Sequence, residues 1–336
     1  MKSRDIVVDI MRTVALFMMV ATHVVRGLER LGVYLVRGHV TALTFMMHYE
    51  AFIAGLFLFL VGYSYHLSTR KRYWQKAVIL IGISIIIFLL NYGWHFPHLF
   101  LGTGILQTIG FSLLLLMFLH TKVWLHGVFL IICLLGSLLN DFILIPGLTV
   151  GSFPLIPYFA FVVLGSLFYM YKDEVVVKWG AVGFIVISIL YSPLRMFEAG
   201  ALVRPLTHGV VQYNRSVNSI LPLFVTAIIV LVFYGLSVIR KHAVQIGANT
   251  HSRLISAFRW LVFPGRCCLE LYVLHLGLIG IFVRVAQGVS GMREGIVMWG
   301  VQNGEGLLWL MVYLMVVVML YVYSVVRYVC VGTLER

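Results

Sequence analysis

The stretch Asp9-Ile-Met-Arg12-Thr-Val-Ala-Leu-Phe-Met-Met-Val-Ala-Thr-His23 decides how this chain is organised. Between Arg12 and His23 only Thr13 and Thr22 are polar, which is typical of a membrane-spanning helix. An α-helix turns by about 100° and rises about 1.5 Å per residue, so His23 returns to the face of Arg12 roughly 16 Å along the axis. One face of this helix therefore carries a carboxylate, a guanidinium and an imidazole.

The spacing within this face suggests both pairing and chemistry. Asp9 lies three residues before Arg12, close enough on a helix to form an ion pair. Ionisable side chains inside a membrane are costly and usually functional. One function that suits these three side chains is acyl transfer across the bilayer, in which Arg12 holds a negatively charged acyl-CoA and His23 acts as general base. The other is proton-coupled transport through an Asp, Arg and His relay. The residues alone leave both open.

Composition restricts the class of protein. The chain has 336 residues, is 61% hydrophobic and 11% charged, and has a mean hydropathy of +1.01, whereas soluble domains carry about 25% charge. It is therefore an all-α multi-pass membrane protein surrounded by lipid. The net charge of +13 fits basic loops against an anionic leaflet, so we expect no nucleic-acid partner. The four cysteines have no metal-ligand spacing, and we expect neither a metal nor a disulfide.

Apolar runs near 20 residues predict about ten transmembrane helices in one integral-membrane domain, 1–336. The predicted spans are 6–24, 45–67, 77–94, 102–120, 122–140, 152–171, 175–193, 217–239, 267–287 and 305–329. The amphipathic stretch 253–264 either lies along the interface or opens the ninth span. Residues 287–304 contain no clear span.

The distribution of lysine predicts the orientation. If the N-terminus is cytoplasmic, every lysine falls in an inner loop or inner helix end, and both termini are cytoplasmic. Seven arginines then face outward: Arg26, Arg30, Arg37, Arg195, Arg204, Arg215 and Arg293. They form a surface that binds an anion or a sugar, or they snorkel at helix ends.

The second span offers candidate groups at both of its ends. His48 and Glu50 begin it at the outer side, level with His23. Its inner end is followed by Arg70, Lys71, Arg72 and Lys76. This basic cluster either anchors the helix at the inner face or clamps the phosphates of a cytoplasmic donor.

Two later segments place further polar groups in apolar surroundings. Trp94 and His95 end the third span as an interfacial aromatic belt or as part of a substrate mouth. His275 lies several residues inside the ninth span. A buried histidine in a membrane core needs a partner, so His275 is a structural donor or a site residue.

The pattern Asp9-x-x-Arg12, ten residues and His23 resembles the opening of the membrane-bound acyltransferase superfamily. That superfamily includes acyltransferase family 3 and the heparan-alpha-glucosaminide N-acetyltransferase-like proteins. Later blocks of the chain are similar, in order, to the second of these groups. They are Ala54 to Ser64, Gly104-Ile-Leu-Gln-Thr-Ile-Gly110, Pro154-Leu-Ile-Pro-Tyr158 with Gly165, and Gly265 to His275.

The resemblance implies a multi-helix enzyme that moves an acyl group, commonly acetyl from acetyl-CoA, onto an extracytoplasmic glycan or related acceptor. It implies roles for Arg12 and His23, with Asp9 supporting Arg12. The chain departs from the family in having Thr13 where a glycine often follows the arginine. Some members carry Asn at the place of His23 and their catalytic histidine in the next outer loop, which makes His39 and His48 alternative bases.

These arguments assign each candidate residue a predicted role. The predicted catalytic residues are His23, Asp9, His48 and Glu50. The predicted acyl-CoA ligands are Arg12, Arg70, Arg72, Lys76 and Arg266. The predicted acceptor ligands are His39, Trp94, His95 and His275. We expect the protein to lie in a bacterial cytoplasmic membrane and to act on a glycan or a small polar acceptor. The sequence leaves open whether it forms a homodimer.

Overall fold

The computed structural model of the chain describes residues 6–33, 50–67, 73–92, 104–119, 122–138, 155–171 and 262–334. Within these ranges the regular structure is entirely helical. The helices are α1 (Ile6–Leu31), α2 (Glu50–Leu67), α3 (Tyr73–Tyr92), α4 (Ile105–Leu119), α5 (Val123–Leu138), α6 (Leu155–Met170), α7 (Cys268–Gly288), α8 (Met292–Asn303) and α9 (Glu305–Leu334). The prediction of an all-α membrane protein is confirmed.

Three of these helices are long and apolar enough to cross a bilayer by themselves, over Val8–Leu31, Cys268–Gly288 and Glu305–Tyr328. Five shorter apolar helices accompany them in the described part of the chain. The predicted spans 1 to 6, 9 and 10 all coincide with helices. The predicted spans 175–193 and 217–239, and most of the stretch 253–264, lie outside the described residues.

The chain divides into two compact units, residues 1–53 with 239–336, and residues 54–238. The first unit holds α1, α7, α8 and α9, and the second holds most of α2 and all of α3 to α6. The prediction of a single integral-membrane domain stays a prediction.

In the first unit α1 and α7 run in the same direction. Successive residues of α1 meet successive residues of α7, with His23 on His275, Gly27 beside Ile279, and the Arg30 carbonyl near Gln287. A Cβ on Gly27 would lie 2.9 Å from the Ile279 side chain, so glycine permits this close approach.

The last helix, α9, runs opposite to α7. Near its start, the Trp309 indole N–H donates to the Ala21 carbonyl of α1 at 3.3 Å. Near its end, Tyr323 and Arg327 reach the carboxylate of Glu270 in the first turn of α7. Parallel first and ninth spans with an antiparallel tenth agree with the predicted topology. Which end faces the cytoplasm stays a prediction.

The stretch 287–304 contains a helix that apolar periodicity did not reveal. Residues Met292–Asn303 form α8, bounded by Gly291 at φ 77° and Gly304 at φ 98°. Glycine adopts these left-handed values without a steric penalty, so the chain can turn at both ends of this 12-residue helix. Its Arg, Glu, Gln and Asn residues kept its hydropathy below that of a span.

In the second unit two glycines bring α2 and α6 into backbone contact. A Cβ on Gly62 would collide with the Val162 carbonyl, and one on Gly165 would collide with the Phe59 carbonyl. Small residues at such crossings allow the close van der Waals packing that holds helices together in lipid.

Candidate active site

The predicted ion pair near the start of α1 is present. Nη1 of Arg12 lies 3.1 Å from Oδ1 of Asp9. The Asp9 side chain is 2% exposed and that of Arg12 is 25% exposed, so the carboxylate is inside the helix packing while the guanidinium reaches its edge. A buried carboxylate stabilises a neighbouring cation and limits its rotamers. Asp9 therefore holds Arg12 in a fixed place.

The segment before α7 closes on this ion pair from the other side. Residues 262–266 are helical, and a Cβ on Gly265 would collide with the backbone carbonyl of Asp9. One turn later, Sγ of Cys268 lies 3.5 Å from the carbonyl oxygen of Arg12. The backbone around Asp9 and Arg12 is thus packed directly against the start of α7.

At the other end of the same face, two histidines meet. Nδ1 of His23 lies 2.8 Å from Nε2 of His275, with the rings stacked at a centroid distance of 5.0 Å and an angle of 26°. His275 is fully buried, and its Nδ1 lies 3.3 Å from the Leu271 carbonyl oxygen. Tyr272 packs edge-on against both rings, at 6.4 Å from His23 and 5.0 Å from His275.

The two clusters lie along one seam between α1 and α7. Arg12 and His23 both touch α7, through Cys268 and His275 respectively. Because the helices run parallel, Arg12 and His23 lie along one interface and are separated by roughly 16 Å of helical rise. The seam presents a cation near one end and a proton acceptor near the other.

Other predicted site residues belong to the second unit, lie beside the seam, or are outside the described residues. His39, His48, Arg70, Arg72, Trp94 and His95 lie outside the described residues, as does the side chain of Glu50. Lys76 is exposed on α3 of the second unit, with its Nζ 5.5 Å from the centre of the Tyr73 ring. Arg266 is exposed beside the seam, with its guanidinium 5.0 Å from the centre of the Tyr328 ring.

Sequence reasoning missed Tyr272 and Cys268, which line the seam, and the identity of His275 as the partner of His23. The i, i+3 spacing of Tyr272 and His275 was a usable signal, because it places both side chains on one face of a helix. The buried face of α7 repeats at helical spacing: Cys268, Leu271, Tyr272, His275, Ile279, Val283 and Ala286. His275 lies in the middle of that face.

Sequence reasoning also missed a buried polar cluster in the second unit. The Ser166 hydroxyl of α6 lies 2.6 Å from Nε2 of His66 in α2 and 2.9 Å from Nε2 of His126 in α5. The His66 ring stacks on Tyr169 at 5.1 Å, and Nδ1 of His126 bonds the Lys122 carbonyl. Ser166 and His126 are fully buried. The hydrogen bonds of this cluster connect α2, α5 and α6.

Comparisons with known proteins identify a family for the N-terminal half of the chain. Residues 4–178 match the family heparan-alpha-glucosaminide N-acetyltransferase, catalytic, a stretch that contains Asp9, Arg12 and His23. A search of curated proteins and a search of solved structures each found no match. The matched stretch covers more than half of the chain. This protein therefore belongs to the heparan-alpha-glucosaminide N-acetyltransferase catalytic family and is a membrane acetyltransferase.

Proposed function

We propose that this protein transfers an acyl group, most simply acetyl, from cytoplasmic acyl-CoA to a hydroxyl or amine of an extracytoplasmic glycan or similar polar acceptor. The observation that carries the proposal is the seam of α1 and α7, which holds Arg12 and His23 on one interface. Family membership favours acyl transfer over the alternative of proton-coupled transport.

Charge supports Arg12 as a residue that binds the acyl donor. Acyl-CoA carries phosphates at one end and its thioester at the other, so an extended molecule along the seam can meet Arg12 and His23 together. Asp9 fixes the guanidinium at 3.1 Å, and a fixed guanidinium binds phosphate or carbonyl oxygen with defined geometry.

The acceptor is activated by His23. A neutral imidazole takes the proton of an attacking hydroxyl or amine as the new bond to the acyl carbon forms. The carbon–sulfur bond then breaks, and the same proton passes from the imidazolium to the departing thiolate. Atoms and charge balance without a further reactant, because the proton lost by the acceptor is the one gained by coenzyme A.

The acceptor side of the seam carries several cations. Arg26 and Arg30 follow His23 on α1 and are exposed, and Arg293 of α8 donates from its Nε to the Leu31 carbonyl at 3.0 Å. Arginines in this position suit a polar or anionic sugar. This supports a glycan as the acceptor class.

The test compares His23→Ala with Thr22→Val. Thr22 is the buried neighbour of His23, and its hydroxyl bonds the Met19 carbonyl of its own helix at 2.8 Å. Acetyl-CoA-dependent acetylation of glucosamine, as a probe acceptor, is measured together with release of the coenzyme A thiol in proteoliposomes. We expect His23→Ala to lose at least about 100-fold in rate, the lower range for a positioned base, and Thr22→Val to stay active. Full activity of a correctly inserted His23→Ala protein would refute the role.

A further inference from the structure

The contact between His23 and His275 determines which nitrogen of His23 is available to a substrate. Three hydrogen-bonding positions lie in a row: the Leu271 carbonyl oxygen, the ring of His275 and the ring of His23. A carbonyl oxygen can only accept, so it fixes the proton positions along the whole row.

The proton assignment follows step by step. Nδ1 of His275 lies 3.3 Å from the Leu271 oxygen, so this nitrogen carries a proton and donates it. A charge on the fully buried ring of His275 would cost free energy, so the ring is a neutral imidazole and its Nε2 holds a lone pair. Nδ1 of His23, at 2.8 Å from that lone pair, must then be the donor.

The consequence concerns the far side of the His23 ring. A neutral imidazole with its proton on Nδ1 has its lone pair on Nε2. His23 is partly exposed, whereas His275 is fully buried behind it. The basic nitrogen of His23 is therefore Nε2, on the opposite side of the ring from the Nδ1 that bonds His275.

We propose that His275 is a positioning residue for acyl transfer, which holds His23 in the tautomer whose Nε2 accepts the acceptor's proton. This inference rests on the proposed function, since it gives His23 the role of base. It replaces the predicted role of His275 as a direct acceptor ligand. When His23 becomes an imidazolium, its Nδ1–H stays hydrogen-bonded to the lone pair of His275, which stabilises the charged intermediate.

A pair of substitutions separates this role from simple packing. In His275→Gln the side-chain amide reaches the position of Nε2 and can accept from His23. In His275→Asn the shorter amide reaches only the position of Nδ1, so the bond to His23 is lost. Both replacements are polar; glutamine is close in volume to histidine, and asparagine is smaller. A matched control is His126→Asn, because His126 is also fully buried and also bonds the carbonyl four residues before it, Lys122.

The first readout is the rate of acetyl transfer to glucosamine. We expect His275→Asn to lower kcat about 10- to 100-fold, within the contribution of a positioned base, while KM for acetyl-CoA changes less than about threefold. His275→Gln should recover most of kcat. Equal loss in the Gln and Asn variants, or a loss confined to KM, would overturn the inference.

The second readout does not depend on activity. Solid-state ¹⁵N spectra of protein labelled at histidine Nδ1 distinguish a protonated from an unprotonated nitrogen, and the His23 signal is identified by its absence in His23→Gln. We expect a protonated Nδ1 in the wild type and in His275→Gln, and a mixture of tautomers in His275→Asn. An unprotonated Nδ1 of His23 in the wild type would overturn the inference. If His23→Ala keeps full activity while the tautomer is as expected, the proposed function fails and the positioning geometry stands.

Discussion

The substitution Gly265→Ala tests whether the start of α7 positions the ion pair of α1. A Cβ at this position would collide with the backbone carbonyl of Asp9, and its next contacts, the Asp9 carbonyl carbon and Cα, are at 2.6 and 2.8 Å. Backbone atoms cannot rotate away as a flexible side chain can, so α1 and the segment before α7 must move apart. Overpacking of this kind costs about 1–3 kcal/mol.

The matched control is Gly277→Ala, in the middle of α7, where a Cβ would meet nothing within 4 Å. Alanine is favoured over glycine in a helix by about 1 kcal/mol, and this gain applies to both substitutions. The difference between the two variants therefore isolates the contact with Asp9. We expect Gly265→Ala to be less stable than Gly277→Ala by about 1–3 kcal/mol.

The assay is equilibrium unfolding in mixed detergent micelles with increasing SDS, followed by titration of the folded variants with acetyl-CoA. Gly265→Ala should also bind acetyl-CoA more weakly than Gly277→Ala, because Asp9 and Arg12 move with the backbone. Equal stability and equal acetyl-CoA affinity in the two variants would show that this contact does not position Arg12.

Two further predictions concern the second unit. Ser166→Ala removes two interhelical hydrogen bonds, and each such bond in a membrane protein contributes about 0.6 kcal/mol, so the free energy of unfolding should fall by about 1 kcal/mol. The control Ser324→Ala loses a bond to its own helix at Tyr321 and should change the free energy of unfolding less. Equal effects of the two substitutions would contradict the cross-helix role of Ser166. Gly62→Ala should cost about 1–3 kcal/mol through collision with the Val162 carbonyl, whereas Gly82→Ala, with open space around it, should be neutral or stabilising in the same unfolding assay.

The sequence predicted the helices well because lipid imposes a length and an apolar composition on every span. The first span was predicted to end at residue 24 but continues to Leu31, since Arg26, Glu29 and Arg30 interrupt the apolar run without ending the helix. Helix α8 was missed for the related reason that it is short and polar. Its ends are set by Gly291 and Gly304.

The part of the candidate site that lies on α1 was also predictable from the sequence. Helical periodicity alone placed Asp9, Arg12 and His23 on one face, and the Asp9–Arg12 pair is confirmed. The partner of His23 was not predictable, because His275 lies 252 residues away and the contact depends on how α1 and α7 pack. The cluster of His66, Ser166 and His126 was missed for the same reason, since each residue comes from a different helix.

The predicted roles of the outer and basic loops stay predictions. They concern His39, His48, Arg70, Arg72, Trp94 and His95, which lie outside the described residues. The family pattern that places a catalytic histidine in the first outer loop gives His39 and His48 a testable role. Their substitution in the glucosamine assay separates them from His23 as the base.

The proposed function requires that one seam binds an acyl-CoA through Arg12 and activates an acceptor through His23. Isothermal titration of acetyl-CoA into the purified wild type, Arg12→Ala and His23→Ala proteins tests it most directly. We expect the wild type to bind, His23→Ala to bind nearly as well, and Arg12→Ala to bind about tenfold more weakly, as expected for the loss of a charged hydrogen bond. A wild type that does not bind acetyl-CoA, or an Arg12→Ala protein with unchanged affinity, would contradict it.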